Sequence, residues 1–470
     1  MFEHSVPTIL PFFLLVCYLI VLRVLWPTWR VSQHRPSDIS RPAPRHQRCL
    51  SVTAVPACPA CEAGRSRADG QRPSGEPPPR LEQKRGRPRS VDTDSHYCPN
   101  LSCRYYGWLG LGNIRANGHP NGGRWRQLEC GVCGRTFLET INTIFYGKQV
   151  AAETIWQVLK ALAEGLDIRA SGRVFDLEAN TVSTWLAQAG AHMTSVSHYL
   201  IHDLHVSQVQ VDELWALLGQ REPDRPKRRA TRWVWAGIDP VSKLMLAYVV
   251  GDRSLASAQL LIHTIALLLA PGCLPLFLSD HWSAYGTALL THFGHWVEIP
   301  RRHAHGRTPQ PRWQPLPGLL YAQVVKQRRQ GRVVKVSQRV VYGSLAGVMA
   351  ALKQSGVGQV INTAFIERLN LSIRRHVPAL ARKATSIAKT DPGLNRQLAL
   401  AQAYYNFCLP HTSLKEPLPQ AQPTRGNGSP KKWRQRTPAM AAGKTERIWR
   451  LEQLLLFRVP PWPQDGVLIA

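Results

Sequence analysis

Apolar residues recur along this 470-residue chain with two periods, and the switch between them divides it. Residues 6–22, VPTILPFFLLVCYLIVL, form an apolar run interrupted by Pro11 and followed by Arg23, at the short end of what spans a bilayer. The opening MFEHS has no Lys or Arg and no small-residue cleavage pattern follows, which argues against a signal peptide and leaves membrane association doubtful. Residues 31–95 are rich in Pro, Arg, Ser and Gly with little apolar periodicity, so a disordered leader is expected. Helical spacing begins at 150–164, VAAETIWQVLKALAE, and stops at Gly165. A short helix over Ile168–Val174, a turn through Phe175–Glu178 and a second helix over Ala179–Ala189 are predicted next.

From Val206 the period becomes two. VSQVQVDELWAL, TRWVWAGIDP and LMLAYVVGDRS predict three strands in series, the last two joined by PVSK. A helix over Ala256–Leu269, a buried strand PLFLSD ending at Asp280, a helix HWSAYGTALLTHF and a strand HWVEIP complete the run. Three strands, helix, strand, helix, strand is the layout of a ribonuclease-H-like α/β core. The expected organisation is a hydrophobic segment (1–30), a leader (31–95), a zinc ribbon (96–147) and a helix-turn-helix (148–195). A ribonuclease-H-like catalytic core (203–410) with a basic insert (301–339) and a tail (411–470) follow.

Charge narrows the partner. Lys and Arg number 59 against 30 Asp and Glu, a formal net charge of +29, which points to nucleic acid. The excess recurs in 221–232, 301–339, 368–389 and the tail. Residues 301–339 read either as a β-hairpin insert gripping DNA or as a solvated basic loop. KRGRPRS, Lys84 to Ser90, has the extended Arg-Gly-Arg-Pro core of a minor-groove AT-hook, although the surrounding composition is biased toward these residues. No Met occurs between Met1 and Met193, and Val91 is a candidate alternative start, with residues 1–90 then a dispensable extension.

The ten cysteines do not form a disulfide-type pattern. Cys58 and Cys61 lack a nearby second pair. Cys98 with Cys103, and Cys130 with Cys133, are two pairs with 26 residues between them, and four thiolates from two knuckles suit one structural zinc ion. Arg115, Arg124, Trp125 and Arg126 lie between them, where a ribbon could touch phosphates. In the helix-turn-helix reading, Asn180, Thr181, Ser183 and Thr184 would face a major groove.

The first and fourth strands of the proposed core are neighbours, so Asp212 and Asp280 are expected side by side. Glu367, in the amphipathic helical pattern NTAFIERLNLSIRRH, would bring a third carboxylate. Such a set suits two magnesium or manganese ions, which promote phosphoryl transfer. Arg374, seven residues after Glu367, is expected on the same helix face, leaning toward DNA phosphates. Glu213 should face away from Asp212, and Asp239 should serve the turn at Pro240. Trp282 and Tyr285 read as core residues or as a stacking platform for a splayed base.

With VDELWALLG, RWVWAGIDP, AYVVGDRS, LSDHWSAY, YAQVVKQRRQGRVVKV, NTAFIERLNLSIRRHVPALARKATSIAK and TPAMAAGKTERIWRLEQLLLFRVPP in that order, residues 96–462 resemble the DDE transposases of bacterial insertion sequences, specifically the insertion-element-one-like group. The resemblance implies an enzyme that binds the inverted-repeat ends of its element in double-stranded DNA, frees 3′-hydroxyls and joins them to target DNA. It puts the triad on Asp212, Asp280 and Glu367, with Arg374 as the following basic residue. Arg375 is an additional expected DNA contact. A homo-oligomer that pairs two ends, located with the nucleoid in the cytoplasm, is expected from that reaction. A nuclease of the same fold that cannot join strands, and a decayed DNA-binding relative, remain as rival readings.

Overall fold

A computed structural model describes residues 77–81, 91–222, 225–300, 309–384, 386–424, 426 and 428–464. The apolar run 6–22, the KRGRPRS motif and the Cys58/Cys61 pair lie outside the described residues. Among the described residues no helix is long and apolar enough to cross a membrane.

The cysteine-bearing unit is a small antiparallel sheet, β1 (Ile114–Ala116), β2 (Gln127–Cys130) and β3 (Thr136–Leu138), ordered β1-β2-β3. Tyr105, Ile114, Leu128 and Phe137 pack with three of the cysteines into a core too small to stand alone. Its boundary lies upstream of the expected residue 96. The Leu81 amide donates to Leu111 O at 2.9 Å, the Tyr105 hydroxyl donates to Pro79 O at 2.9 Å, and the Thr93 hydroxyl donates to Ile114 O at 2.8 Å. The last part of the expected leader therefore belongs to this unit.

Three helices follow, α1 (Ala152–Ala163), α2 (Ile168–Val174) and α3 (Ala179–Leu200). Asp167 caps α2 by accepting from the Ala170 amide at 2.8 Å. The third helix runs past the expected Ala189 to Leu200, because Val182, Trp185, Leu186, Ala189, Met193, Val196 and Leu200 continue one apolar stripe against the core. Gly165, between the first two helices, has φ +100°, and a Cβ there would meet Arg375 O at 2.3 Å.

The main sheet has six strands, in the spatial order Arg332–Tyr342, Leu320–Arg329, Leu276–Asp280, Gln208–Glu222, Arg225–Ile238 and Met245–Gly251. Strands β4 (Gln208–Glu222), β5 (Arg225–Ile238) and β6 (Met245–Gly251) form an antiparallel meander. Helix α4 (Leu255–Leu268) returns the chain to β7 (Leu276–Asp280), parallel to β4, and α5 (Ser283–His292) follows. The strand HWVEIP was expected to complete this sheet and does not. Its residues form β8 (Gly294–Val297), which pairs with β9 (Arg312–Pro315) in a separate two-stranded sheet, with Trp296 66% exposed.

The fifth strand is instead β10 (Leu320–Arg329), parallel to β7, with β11 (Arg332–Tyr342) antiparallel on its outer edge. The physical reason is burial: Tyr321, Ala322 and Val324 supply apolar residues for both faces of an interior strand, which HWVEIP does not. Much of the stretch expected as a basic insert is thus the sheet itself, and the far end of the β10/β11 hairpin carries the exposed Arg328, Arg329, Arg332 and Lys335.

Alternation along the strands separates two apolar layers. Val209, Val211, Trp235, Phe277 and Tyr321 share a core with α3, α4 and α5. The opposite face packs on α6 (Leu345–Ser355), α7 (Ala364–His376) and α8 (Asp391–Ala403). The C-terminal region forms a hairpin, β12 (Glu416–Gln422) with β13 (Lys431–Arg434), and two short helices, α9 (Pro438–Ala441) and α10 (Leu451–Leu456). Ala439, Trp449, Leu451, Leu454, Leu455 and Phe457 are buried in the same core as α1 and α3, so this region is integral to the fold.

Candidate active site

Strand pairing sets the first two carboxylates. Val211 is in register with Ser279 across the parallel β4/β7 pair, so the next residues, Asp212 and Asp280, come side by side where β7 ends. Both lie on the sheet face covered by α7, since side chains two apart share a face and Leu214 and Leu278 are buried there.

Helix α7 presents Glu367 to the same place, and its start is clamped from beneath. Gln210, two residues before Asp212 and fully buried, accepts from the amides of Phe365 and Ile366 at 3.1 Å each and donates to Asn362 O at 3.0 Å. Helix N-terminal amides lack partners within their own helix, so this side chain ties the helix start to the strand that carries Asp212. The Thr363 hydroxyl lies 3.0 Å from Asp280 Oδ1 and 3.3 Å from Glu367 Oε1, linking the two acids.

A lysine occupies the middle. Lys326 Nζ donates to Glu367 Oε1 at 2.6 Å and lies 3.3 and 3.2 Å from the two Asp280 oxygens. It extends from β10, two residues past Val324, the residue paired with Asp280. Asp212 is held differently: Asn370, one turn after Glu367 on α7, donates to Asp212 Oδ2 at 2.8 Å. Burial, then the charge of Asp280, push the Asp212 carboxyl up to about 7. The three carboxylates do not close into a compact ligand set. Among the described residues only the four cysteines bring three or more metal-ligating atoms within 4.8 Å of one another.

Arg374 turns back toward its own chain. Its guanidinium is half-buried and donates to Leu380 O at 3.1 Å, close enough for the Asp212 charge to act on it. Burial, with the charge of Arg382, lowers its pKa despite that carboxylate. Arg375 is exposed in the last turn of α7. Glu213 faces the opposite side of the sheet, bonded by Arg253 at 2.6 Å and by the Tyr285 hydroxyl at 3.0 Å. Asp239 accepts from the Val241 and Ser242 amides and shapes the turn at Pro240. Tyr285 is a buried core residue, and the partly buried Trp282 packs against that core, its ring centroid 4.8 Å from that of Trp235.

At the other site, Cys98 Sγ lies 3.7 Å from Cys133 Sγ and Cys103 Sγ lies 4.0 Å from Cys130 Sγ. Three of these cysteines are buried, and the cluster has the chemistry to hold a structural metal such as zinc. Asn113 Nδ2 lies 3.5 Å from Cys130 Sγ, a donor toward that sulfur.

Of the helix residues expected to face DNA, Asn180 and Thr184 are exposed and Thr181 and Ser183 half-buried. Asn180 and Ser183 open into a cleft of about 880 Å³ that Arg169, Arg229, Lys389 and Arg396 also line. Sequence reading missed Lys326, Gln210, Thr363 and Asn370. The last two stand four before and three after Glu367, on its own helix face, which is a signal the sequence carries.

A scan against protein-family models matches none, and comparison with curated proteins returns no match.

Proposed function

We propose that the chain is a metal-dependent DNA transposase of the DDE type, with Asp212, Asp280 and Glu367 as its catalytic carboxylates. The observation that carries this reading is the convergence just described: adjacent acids on parallel strands β4 and β7, and a third delivered by a helix clamped to the same strand. The strand order β6-β5-β4-β7-β10 is that of a ribonuclease-H-like core, which supports the same assignment. The cysteine unit then serves as a zinc ribbon and α2–α3 as a helix-turn-helix, in a chain whose net charge of +29 suits DNA.

Hard oxygen ligands fit magnesium or manganese, and a cation already stands among them in the form of Lys326. The divalent ions would be held by Asp212, Asp280 and Glu367. When bound, they supply an activated hydroxyl and stabilise the leaving oxygen. The chain's own contribution is placement: Gln210 and Thr363 hold Glu367 beside Asp280, and Asn370 orients Asp212. Joining two element ends calls for at least two copies of the chain.

The test is a cleavage-and-joining assay on labelled DNA carrying the element ends, with Mg2+ or Mn2+, beside Asp280→Asn and Glu367→Gln. Metal-dependent 3′-end cleavage and joining that vanish in both variants, with end binding retained, is the expected result. Cleavage without joined product would assign a nuclease. Binding without cleavage in the wild type would reject the catalytic reading.

A further inference from the structure

The most anomalous buried group lies far from the carboxylates. Arg458 is 1% exposed, and only its Nη1 finds a hydrogen bond, donating to Tyr97 O at 3.2 Å. Its Nε and Nη2 are buried without any partner. The guanidinium carbon stands 4.2 Å from the Tyr97 ring centroid and 5.0 Å from that of Phe137. Among the described residues no carboxylate forms an ion pair with it. A buried, permanently charged guanidinium without a counter-anion is strongly unfavourable.

The surroundings identify the missing charge. Tyr97 immediately precedes Cys98, and Phe137 shares the small core with Cys98, Cys103 and Cys130, so the guanidinium is packed against the wall of the cysteine cluster. A divalent cation held by four thiolates leaves a net negative charge on that cluster. Arg458 belongs to the segment that joins the two parts of the fold. On its N-terminal side, α10 is in the main core, with Leu454 O bonded to His192 Nε2 at 3.0 Å. On its C-terminal side, the segment lies along the cysteine unit. The Tyr97 hydroxyl donates to Val459 O at 3.0 Å, Trp462 packs edge-on against Trp108, and Gln464 bonds both Leu109 N and Gly107 O.

We propose that Arg458 is the internal counter-cation of the metal-loaded four-cysteine cluster, so that metal binding locks residues 457–464 onto the cysteine unit as a strap. Without the metal, Arg458 has no partner for its buried Nε and Nη2 charge and the strap loses its anchor. The orientation of the cysteine unit on the core thereby depends on metal occupancy, whatever reaction the carboxylates perform.

The test uses full-length, zinc-loaded protein and two readouts independent of activity. The first is hydrogen exchange of residues 457–464 before and after stripping with a chelator. The strap should lose protection while β4 and β7 keep theirs. Unchanged protection of the strap, or loss spread equally over β4 and β7, would overturn the proposal. The second is zinc transfer to a chromogenic chelator. Arg458→Met, which keeps length without charge, should release zinc at least about tenfold faster, while Arg458→Lys stays near wild type. Equal release from all three proteins, or equal acceleration in both variants, would show that packing and not charge is at work.

Discussion

If Asp280 and Glu367 hold a divalent ion, as proposed above, Lys326, which bridges them, competes with it. Its ammonium sits 2.6 Å from Glu367 Oε1 and 3.2 Å from Asp280 Oδ2. At such separations, Coulomb attraction with an effective dielectric near 20 is roughly 5 kcal/mol per pair before desolvation. Asp280 and Glu367 are 37% and 53% exposed, however, so solvent screening and side-chain entropy reduce the net value. About 1 kcal/mol per pair is then appropriate. A metal ion displacing the lysine gives up both pairs, about 2 kcal/mol, unless DNA offers the ammonium a phosphate.

Lys326→Met should therefore tighten Mn2+ binding to the DNA-free protein by roughly thirtyfold, since 1.4 kcal/mol is a factor of ten. Lys326→Arg, which keeps the charge, should not. Calorimetric or paramagnetic-resonance titration with Mn2+ measures this directly, best at about pH 8, where Asp212 is ionised. The gain should shrink as salt rises, because the pairs are partly screened. Mn2+ affinity that stays the same or falls in Lys326→Met would refute the competition argument.

The same titration has a definite pH profile. Asp212 has its folded pKa raised to about 7, so the acid form is favoured at low pH and must lose its proton to bind metal. Mn2+ affinity should climb by up to about tenfold per pH unit below 7 and level off above it, and a flat profile would contradict the assigned ligand. The sign for the metal-free fold is opposite, because a raised carboxyl pKa means stability is lost as pH rises through the folded value. Gln210→Ala leaves the Phe365 and Ile366 amides and Asn362 O without their buried partner. Urea denaturation should show a loss of about 2–4 kcal/mol, and less than 1 kcal/mol would mean water replaces the amide. Gly165→Ala combines a left-handed backbone with a Cβ only 2.3 Å from Arg375 O. It should cost about 2 kcal/mol or more in the same assay, and a neutral substitution would show that the loop shifts freely.

What could be read from the chain depended on whether the cause was local. The alternation leading to Asp212, the short apolar strand ending at Asp280 and the helical spacing around Glu367 are each within one element, and so were visible. The cysteine spacing was visible for the same reason. Gln210 acts on amides 155 and 156 positions away, and Arg458 sits against Tyr97 across 361 positions, so no window along the sequence contains their partners.

Lys326 is a different case, because its position was deducible. It lies in a stretch rich in Lys and Arg whose charge density reads as an insert and masks the apolar run LYAQVV just before it. Had that run been set beside β7 as the fifth strand, Val324 would face the same way as Asp280. The period of two would then have pointed the next charged side chain on that face, Lys326, at the carboxylates. Assigning the wrong fifth strand therefore also removed the resident cation from view, and with it the competition that the Mn2+ titration measures.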